Sequence, residues 1–502
     1  MLNLAIWLPA VGALAACLAP RRAVGWIAFA FSLGALGVAI AIALGYQSGE
    51  GLQYVIDDEW LPDLGIAYRL GVDGISVFLV LMAAAVWPAA MAWSAIKTPE
   101  RPATWYLLLA LGQSGAIGAF CAQDLLLFVL FFDLMLIPFF FLFASWGKDP
   151  AEGITASAAT VKMMMFTLFG SLLMLVAAIA TAFIATDGGA PLSFSIEAIA
   201  AHGVRESSQT WLFCFFAIAF LIKMPVFPVH GWMRDTYRSA PLPALAVFTA
   251  VLSKVGAYGF IRVCLPIFPD ATADLQGLFL ILAVASIVYG SVMAFSQNNA
   301  RLVAGFSSIA QMGFVLLGIF TLRTDGLDGA VMQMINHGLV VVPLMLVVAF
   351  LAERVGSDDL AKMGGLAFRA PVLAVFFLVI TMALLALPGS ANFVGEFYVL
   401  RGAFETDIVV AAVAASGVAL AGYYALRLYQ RSMHNREAEA GASAEISAGQ
   451  GVILGTLVAG IVALALYPQV FLGPIDSSAL PQIEAAADAA GEPPVSADRS
   501  AP

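Results

Sequence analysis

Long apolar runs follow one another along almost the whole chain. A run of about 18–25 apolar residues is long enough to cross the hydrocarbon core of a bilayer as an α-helix. We predict about fourteen such spans, at residues 2–19, 24–45, 74–95, 104–121, 124–146, 160–185, 211–230, 241–265, 275–296, 300–320, 328–351, 371–400, 407–430 and 451–472. The pattern predicts an all-α polytopic membrane protein, with its longest outer loops near 46–73 and 186–210.

Proline and glycine interrupt two of these spans. The seventh carries Lys223 two residues before Pro225, with Pro228 following, and the twelfth contains the Leu387–Asn392 segment just before Glu396. Because proline disrupts a helix, and because paired broken helices are typical of inverted-repeat transporters, we predict two such repeats. The predicted units are N-terminal helices 1–3 at 1–103, five helices (spans 4–8) at 104–265, five helices (spans 9–13) at 266–436, helix 14 at 437–475 and an acidic, Ala/Pro-rich tail at 476–502. We expect this tail to be disordered, because it offers little apolar surface to bury.

Most of the lysines and arginines fall in alternate loops. Cytoplasmic loops of membrane proteins carry an excess of Lys and Arg. With the N-terminus placed outside, the excess falls on the cytoplasmic side along the whole chain. We therefore expect both termini to lie outside.

The composition excludes several classes of function. Hydrophobic residues make up 62% of the 502 residues and charged residues only 11%, which leaves no room for a soluble catalytic domain. The net charge of −10 does not suggest nucleic-acid binding. The four cysteines stand singly in apolar runs without a CxxC pair, a pattern that argues against a zinc or iron–sulfur site in this chain.

Few ionisable groups lie inside the predicted spans. A charge near the bilayer centre costs roughly 2.5–3.5 kcal/mol on insertion scales, so such residues are functional candidates. The candidate site residues are Asp133, Lys223, Lys254 and Glu396, with the polar companions His337 and Gln311. Burial and opposite charge change the proton affinity of such groups in opposite senses, so this set suits a proton relay.

Each candidate also has a structural interpretation. Asp133 could form a fixed interhelical ion pair, and Lys223 could cap the carbonyls freed by Pro225. Lys254 could snorkel, although it lies deep in its run. Glu396 could serve helix packing, and His337 could be an interhelical hydrogen-bonding residue. Outside this set, we interpret Asp73 as a helix cap or loop anchor. For His230 both packing and proton entry are open and we favour packing, and we favour an interfacial lysine over a relay group for Lys162.

Five segments carry a resemblance to a known family. They are Gly71–Ser76, Phe131–Asp133 with Pro138, Lys223–Trp232, Ser307–Gly313 and Asn392–Phe397. The chain resembles the antiporter-like membrane subunits of respiratory complex I, a family shared with multisubunit cation/proton antiporters. The Lys-x-Pro-x-x-Pro-x-His-Gly-Trp run is highly specific for this family. The Asn-Phe-Val-Gly-Glu-Phe run is similar to the M type of NADH–quinone oxidoreductase, whereas the related L and N types usually carry lysine where Glu396 stands.

The resemblance implies a proton-pumping subunit of a bacterial inner-membrane complex. It implies an Asp133–Lys223 pair, a second lysine at Lys254 and an exit acid at Glu396, with His337 and Gln311 lining the path between them. It further implies that NADH oxidation and quinone reduction occur elsewhere, with FMN, iron–sulfur clusters and quinone held by other subunits and no cofactor bound by this chain. The implied partners are the L-, N- and smaller membrane-arm subunits, the lipid membrane and protons, with no nucleic acid. The alternatives are a subunit of a multisubunit sodium/proton antiporter and a purely structural membrane subunit.

Two residues depart from the family pattern. Asp133 stands where the family normally has glutamate, so its carboxylate is one methylene shorter, which could lengthen its contact with Lys223 or require a bridging water. Gln311 stands where the M type often has histidine. A glutamine can hold a water chain but does not take up a proton near neutral pH.

Overall fold

The computed structural model describes residues 1–150, 153–186, 189, 191–434 and 445–491. In the first half the helices are α1 Leu2–Ala16, α2 Val24–Gly45, α3 Ser76–Lys97, α4 Pro102–Cys121, α5 Leu125–Trp146, α6 Ala156–Ile184, α7 Ile196–His202, α8 Glu206–Lys223 and α9 Met233–Ser239. One continuous helix follows, made of α10 Leu242–Val247, α11 Ser253–Gly259 and α12 Leu265–Ile267 with a π-helical turn at each junction. The rest are α13 Pro269–Ser296, α14 Ala300–Phe320, α15 Thr324–Val355, α16 Leu366–Arg369, α17 Pro371–Leu384, α18 Ala391–Thr406, α19 Ile408–Met433, α20 Ala448–Leu466 and α21 Gln469–Ala489.

The all-α membrane fold is confirmed. Within the described residues, eleven helices are long and apolar enough to cross a membrane, and α1 and α17 are shorter apolar helices. The count of fourteen spans and the division into two inverted repeats stay predictions.

Three long helices form the centre of the molecule. The α10–α12 helix, α14 and α15 are buried on all sides along their most apolar stretches, whereas α2, α6, α19 and α20 bury less than half of theirs. These central helices carry Lys254, Gln311 and His337, so the fold places three of the predicted polar residues away from lipid.

Both predicted helix breaks occur. The first lies between α8, which ends at Lys223, and α9, and the second between α17 and α18. Across the first break, the Trp232 indole donates a hydrogen bond to the carbonyl of Ile222 at 3.1 Å. The Trp232 side chain therefore pairs the Ile222 carbonyl, which a backbone N–H one turn later would pair in an unbroken helix.

Lys254 lies between two irregular turns. The π-helical turns span Phe248–Leu252 and Phe260–Cys264, and both are fully buried. Such turns insert an extra residue into a helix and are frequent at functional sites. The apolar pattern of this span gave no sign of them.

The segment between α2 and α3 is partly a β-hairpin. Strand β1, Gln53–Leu61, pairs antiparallel with β2, Ile66–Val72, and Asp57 faces Arg69 across the hairpin. Asp73 follows β2 and accepts hydrogen bonds from the backbone N–H groups of Ile75 and Ser76, so its predicted role as a cap at the start of α3 is confirmed.

The prediction of a disordered tail from residue 476 was wrong for residues 476–489. They belong to α21, where Leu472, Ile475, Ala479, Ile483 and Ala486 form a buried stripe with helical spacing. The ring of Phe471 lies 4.6 Å from that of Phe78, and Ser478 Oγ accepts a hydrogen bond from the Gly74 N–H at 3.0 Å. The Ala- and acid-rich composition concealed this stripe, and the remainder of the predicted tail, 492–502, lies outside the described residues.

Candidate functional site: a buried polar chain

Lys223, at the end of α8, is almost fully buried. Its Nζ donates to the carbonyl of Phe132 at 3.3 Å and lies 3.9 Å from the centroid of that ring. A cation over an aromatic face is stabilised by the ring quadrupole, most strongly where water is excluded. The amine therefore contacts α5 rather than a carbonyl of its own broken helix.

Asp133 is next to Phe132 but makes a different contact. Its carboxylate accepts a short hydrogen bond from Ser171 Oγ on α6. Among the residues that the structure describes, no direct ion pair joins Asp133 to Lys223, although the Asp133 charge acts on the lysine through space. Thus Lys223 contacts Phe132, the residue before Asp133 on α5, but makes no ion pair with Asp133 itself.

A small cavity lies between Lys223 and two residues, Thr249 and Ser253, that contact the second lysine. It is lined by Lys223, Thr249, Ser253 and Ser308, among other residues, and has a volume of ≈ 10 Å³. That is about the space needed for one water molecule, and the hydroxyl-bearing walls supply the polar partners that such a water requires. Ser253 Oγ also accepts a hydrogen bond from Lys254 Nζ at 3.3 Å, so this wall joins the surroundings of both amines.

Lys254 and His337 are in direct contact. Nζ of Lys254 lies 2.7 Å from Nδ1 of His337, and neither side chain is exposed to any degree. A protonated lysine can only donate, so it pairs with the Nδ1 lone pair of a neutral imidazole, whose proton then lies on Nε2. His337 Nε2 is buried and has no hydrogen-bond partner within the described part of the chain.

Glu396, in α18, is held by a pair of amides. Gln311 Nε2 donates to Glu396 Oε1 at 2.9 Å, and Gln333 Nε2 donates to Gln311 Oε1. The second carboxylate oxygen, Oε2, is buried without a partner among the described residues. The Tyr424 ring lies beside Gln311 and Glu396 from α19.

Two asparagines lie between His337 and Glu396 in the fold. Asn336 Nδ2 donates to the carbonyl of Ala391 at 2.6 Å, at the start of α18. Asn392 is completely buried, and neither atom of its amide has a partner in the described residues. Because buried amides are almost always hydrogen-bonded to protein or ordered water, this region is suited to hold water.

The structure brings most of the predicted residues into two contacting sets. Lys254 contacts His337, and Glu396 contacts Gln311, whereas Asp133 stands apart from Lys223. The sequence interpretation did not single out Gln333, Asn336, Asn392 and Tyr424 as site residues, because the packing between helices decides which groups they lie beside. A usable signal was the spacing of Gln333, Asn336 and His337, which places three polar residues within about one turn of an apolar helix.

Two polar residues outside this set have partners of their own. Lys162 pairs with Asp235 at 2.8 Å in a partly exposed ion pair. His230 Nε2 is 3.0 Å from the Tyr289 hydroxyl, and its ring stacks near Phe227. His230 Nδ1 is buried without a partner among the described residues, so the packing role of His230 stays a prediction.

Comparison with known proteins identifies the family. A family profile described as "NADH:quinone oxidoreductase/Mrp antiporter, TM" matches residues 122–421. The chain belongs to this family. The match spans the first broken helix, both buried lysines and the Glu396 motif.

Curated relatives point to one branch of the family. The chain is 35% identical over 460 residues to NADH-quinone oxidoreductase subunit M of Rhodobacter capsulatus, covering 90% of this chain and 88% of the relative. It is 33% identical over 462 residues to subunit M of Escherichia coli strain K12, covering 89% and 90%. The similarity therefore extends over nearly the full length of both relatives.

Solved structures agree on the fold. A chain of respiratory complex I from Thermus thermophilus with bound NADH superposes with a TM-score of 0.87 at 28% identity, covering 96% of this chain and 99% of that one. A chain of the Mrp complex from Dietzia sp. DQ12-45-1b superposes with a TM-score of 0.83 at 20% identity, covering 97% and 98%. The second likeness concerns the fold alone.

Proposed function

We propose that this chain is a proton-translocating membrane-arm subunit of an NADH–quinone oxidoreductase, and that Lys223, Lys254, His337 and Glu396 carry the protons. The observation that carries the proposal is the direct 2.7 Å contact between Lys254 and His337 inside a fully buried pair of helices. A buried structural lysine is usually paired with an anion, whereas Lys254 donates to the Thr249 carbonyl at 3.4 Å and to Ser253 Oγ at 3.3 Å and makes its shortest contact with His337. An imidazole nitrogen is instead a group that can accept the proton.

The proposed path starts at Lys223. Its proton passes through the small cavity and along Ser253 to Lys254, then to Nδ1 of His337. The imidazole releases a proton from Nε2 toward water held by Asn336 and Asn392. Glu396 receives it on Oε2, the oxygen that the amide pair leaves open.

Asp133 controls the first step by its position. A carboxylate that moves toward Lys223 favours the charged amine, and one that stays with Ser171 favours release of the proton. In this structure Asp133 is held by Ser171, which corresponds to the releasing arrangement. Only N–H and O–H bonds form and break in this chain.

The remainder of the assembly supplies the driving reaction. We propose that NADH oxidation and quinone reduction take place in other subunits that hold FMN, iron–sulfur clusters and quinone. L-, N- and smaller membrane subunits cover part of the exposed helices of this chain in a bacterial inner membrane. Both chain termini lie outside, and spans 4–8 and 9–13 form two five-helix repeats after the three N-terminal helices.

A proteoliposome experiment tests the proposal. The assembled complex carrying Lys223→Ala should still oxidise NADH at first but should lose most of its NADH-driven proton uptake. Full proton uptake by that variant would overturn the relay, and normal assembly with lost uptake excludes a purely structural role. The fold likeness to the Mrp complex makes a sodium/proton antiporter subunit the alternative function. Such a subunit would require sodium for proton movement. Uptake that persists in sodium-free buffer rejects that alternative.

A further inference from the structure

The amide pair at Glu396 has a fixed direction. An ionised carboxylate is acceptor-only, so Gln311 must present its N–H₂ group to Oε1 of Glu396. The amide oxygen of Gln311 then points the other way and requires a donor. Gln333 supplies that donor from α15.

Close helix packing places Gln333 where it can do this. At Gly395, the residue before Glu396, an added Cβ would lie 2.5 Å from Gln333 Oε1 and 2.9 Å from the Gln333 backbone nitrogen. The glycine therefore lets α15 and α18 approach until the Gln333 side chain passes beside Glu396. Gln311, Gln333 and Glu396 are all within 2% of complete burial, so bulk water does not compete for these bonds.

We propose that Gln333 is a positioning residue of the proton path, acting through Gln311 to keep an amide N–H on Oε1 of Glu396 and leave Oε2 as the oxygen that takes up and releases the proton. The inference rests on the proposed function. It assigns a role to Gln333, whose Nε2 donates to Gln311 and not to Glu396. Without Gln333, the buried oxygen of Gln311 would lose this donor, and the amide would be free to turn from the carboxylate toward the nearby hydroxyl of Tyr424, which is unpartnered within the described residues. Glu396 would then have two equivalent open oxygens.

A double-variant experiment in the assembled complex tests this role. Gln333→Met keeps the side-chain length and removes the donor, and it should lower NADH-driven proton uptake about fivefold, the effect of one lost hydrogen bond. If Gln333 acts through Gln311, Gln311→Met and the double variant should show the same loss. Losses that multiply in the double variant would overturn the proposal.

Infrared difference spectra provide a second test, because replacing a residue with only a structural role would not shift the carboxyl band of Glu396. The C=O stretching band of protonated Glu396 is assigned by its disappearance in Glu396→Gln. It should shift to the same position in Gln311→Met and Gln333→Met, and an unshifted band in Gln333→Met overturns the inference. Gln333→Asn, which keeps an amide but is too short to reach Gln311, should give the same shift if Gln333→Met does not assemble.

Gln113 provides a matched control. This glutamine lies on α4 and is also completely buried. Its Oε1 accepts a hydrogen bond from Ser32 Oγ at 2.8 Å. Gln113→Met should leave the Glu396 band in place, and a shift there would contradict the specific role of Gln333. If Glu396→Gln pumps normally, the proposed function fails. If Glu396→Gln stops pumping while the Gln333 variants leave the band unchanged, only the present inference fails.

Discussion

Lys254 Nζ and His337 Nδ1 are 2.7 Å apart although the two residues are separated by 83 positions in the sequence. Each lies on a helix whose apolar stretch is fully buried. Because no lipid or bulk water reaches either side chain, a proton that leaves the lysine has the imidazole as its first acceptor. This contact makes the central step of the relay testable.

Removing either partner should stop proton transfer. Lys254→Met and His337→Leu should each reduce NADH-driven proton uptake by roughly 10²-fold or more, the usual contribution of a positioned acid or base. Uptake is measured with the assembled complex in proteoliposomes. Retention of more than half the normal rate in either variant would contradict the relay.

Lys162 is the control for loss of a lysine. Its ion pair with Asp235 is partly exposed, and such pairs contribute about 0–1 kcal/mol. Lys162→Met should therefore assemble and pump nearly as the wild type does. A comparable loss there would mean that any missing positive charge impairs the complex.

The sequence predicted the titratable residues but not all of their contacts. Charged residues within apolar runs and prolines beside them are visible in one dimension, which is why Lys223, Lys254 and Glu396 and both helix breaks were found. Gln333 donates a hydrogen bond to Gln311 on another helix, and Arg262 forms a buried ion pair with Asp73, 189 positions away. Spacing along one helix does not reveal such contacts. The α21 helix was missed for a different reason: its buried Leu, Ile and Ala residues stand among prolines, serines and acids, which dilute the apolar pattern.

Asp133 should be sensitive to side-chain length as well as to charge. Asp133→Glu adds one methylene and lets the carboxylate reach beyond Ser171 toward Lys223, so proton uptake should remain close to that of the wild type. Asp133→Asn removes the negative charge that acts on Lys223 and should lower uptake roughly tenfold, the effect of about 1.4 kcal/mol. The rate of proton uptake is compared at equal amounts of assembled complex.

A surface aspartate separates charge loss from misassembly. Asp235→Asn breaks the pair with Lys162 outside the proposed path and should change uptake little. Equal rates for Asp133→Asn and Asp133→Glu would show that the charge at this position has no part in the reaction.

The buried Asp73–Arg262 pair should give acid-dependent stability. Burial by itself would raise the pKa of Asp73, but the Arg262 charge and hydrogen bonds from Ser76 and Arg262 outweigh it and lower the pKa below its ordinary value. The stabilisation is therefore fully present above the pKa of Asp73 in the unfolded chain, about 3.9. It is lost as the pH falls through the lower pKa of Asp73 in the folded chain. Asp73→Asn should cost about 3–5 kcal/mol at pH 7, because it leaves Arg262 buried without its anion.

Thermal unfolding of the full chain in detergent measures this effect. The Tm difference between Asp73→Asn and the wild type should be large at pH 7 and should shrink as the pH is lowered below about 4. Asp57→Asn, which removes the partner of Arg69 in the exposed hairpin, should shift Tm little because half of the Asp57 side chain is exposed. A Tm difference for Asp73→Asn that grows in acid would have the wrong sign.

Gly395 should tolerate no side chain, because α15 and α18 meet there. The Cβ of Gly395→Ala would lie 2.9 Å from the backbone nitrogen of Gln333, so one helix must shift. Overpacking of this kind costs about 1–3 kcal/mol, and the displaced Gln333 should also lower proton uptake. At Gly422 in α19 an added Cβ meets nothing within 4 Å, so Gly422→Ala should be neutral or raise stability by about 0.5–1 kcal/mol. The Tm and the proton uptake of the two variants are compared. If the Gly395→Ala protein is as stable and active as the Gly422→Ala protein, the close contact of α15 with α18 is not required to hold the amide pair at Glu396.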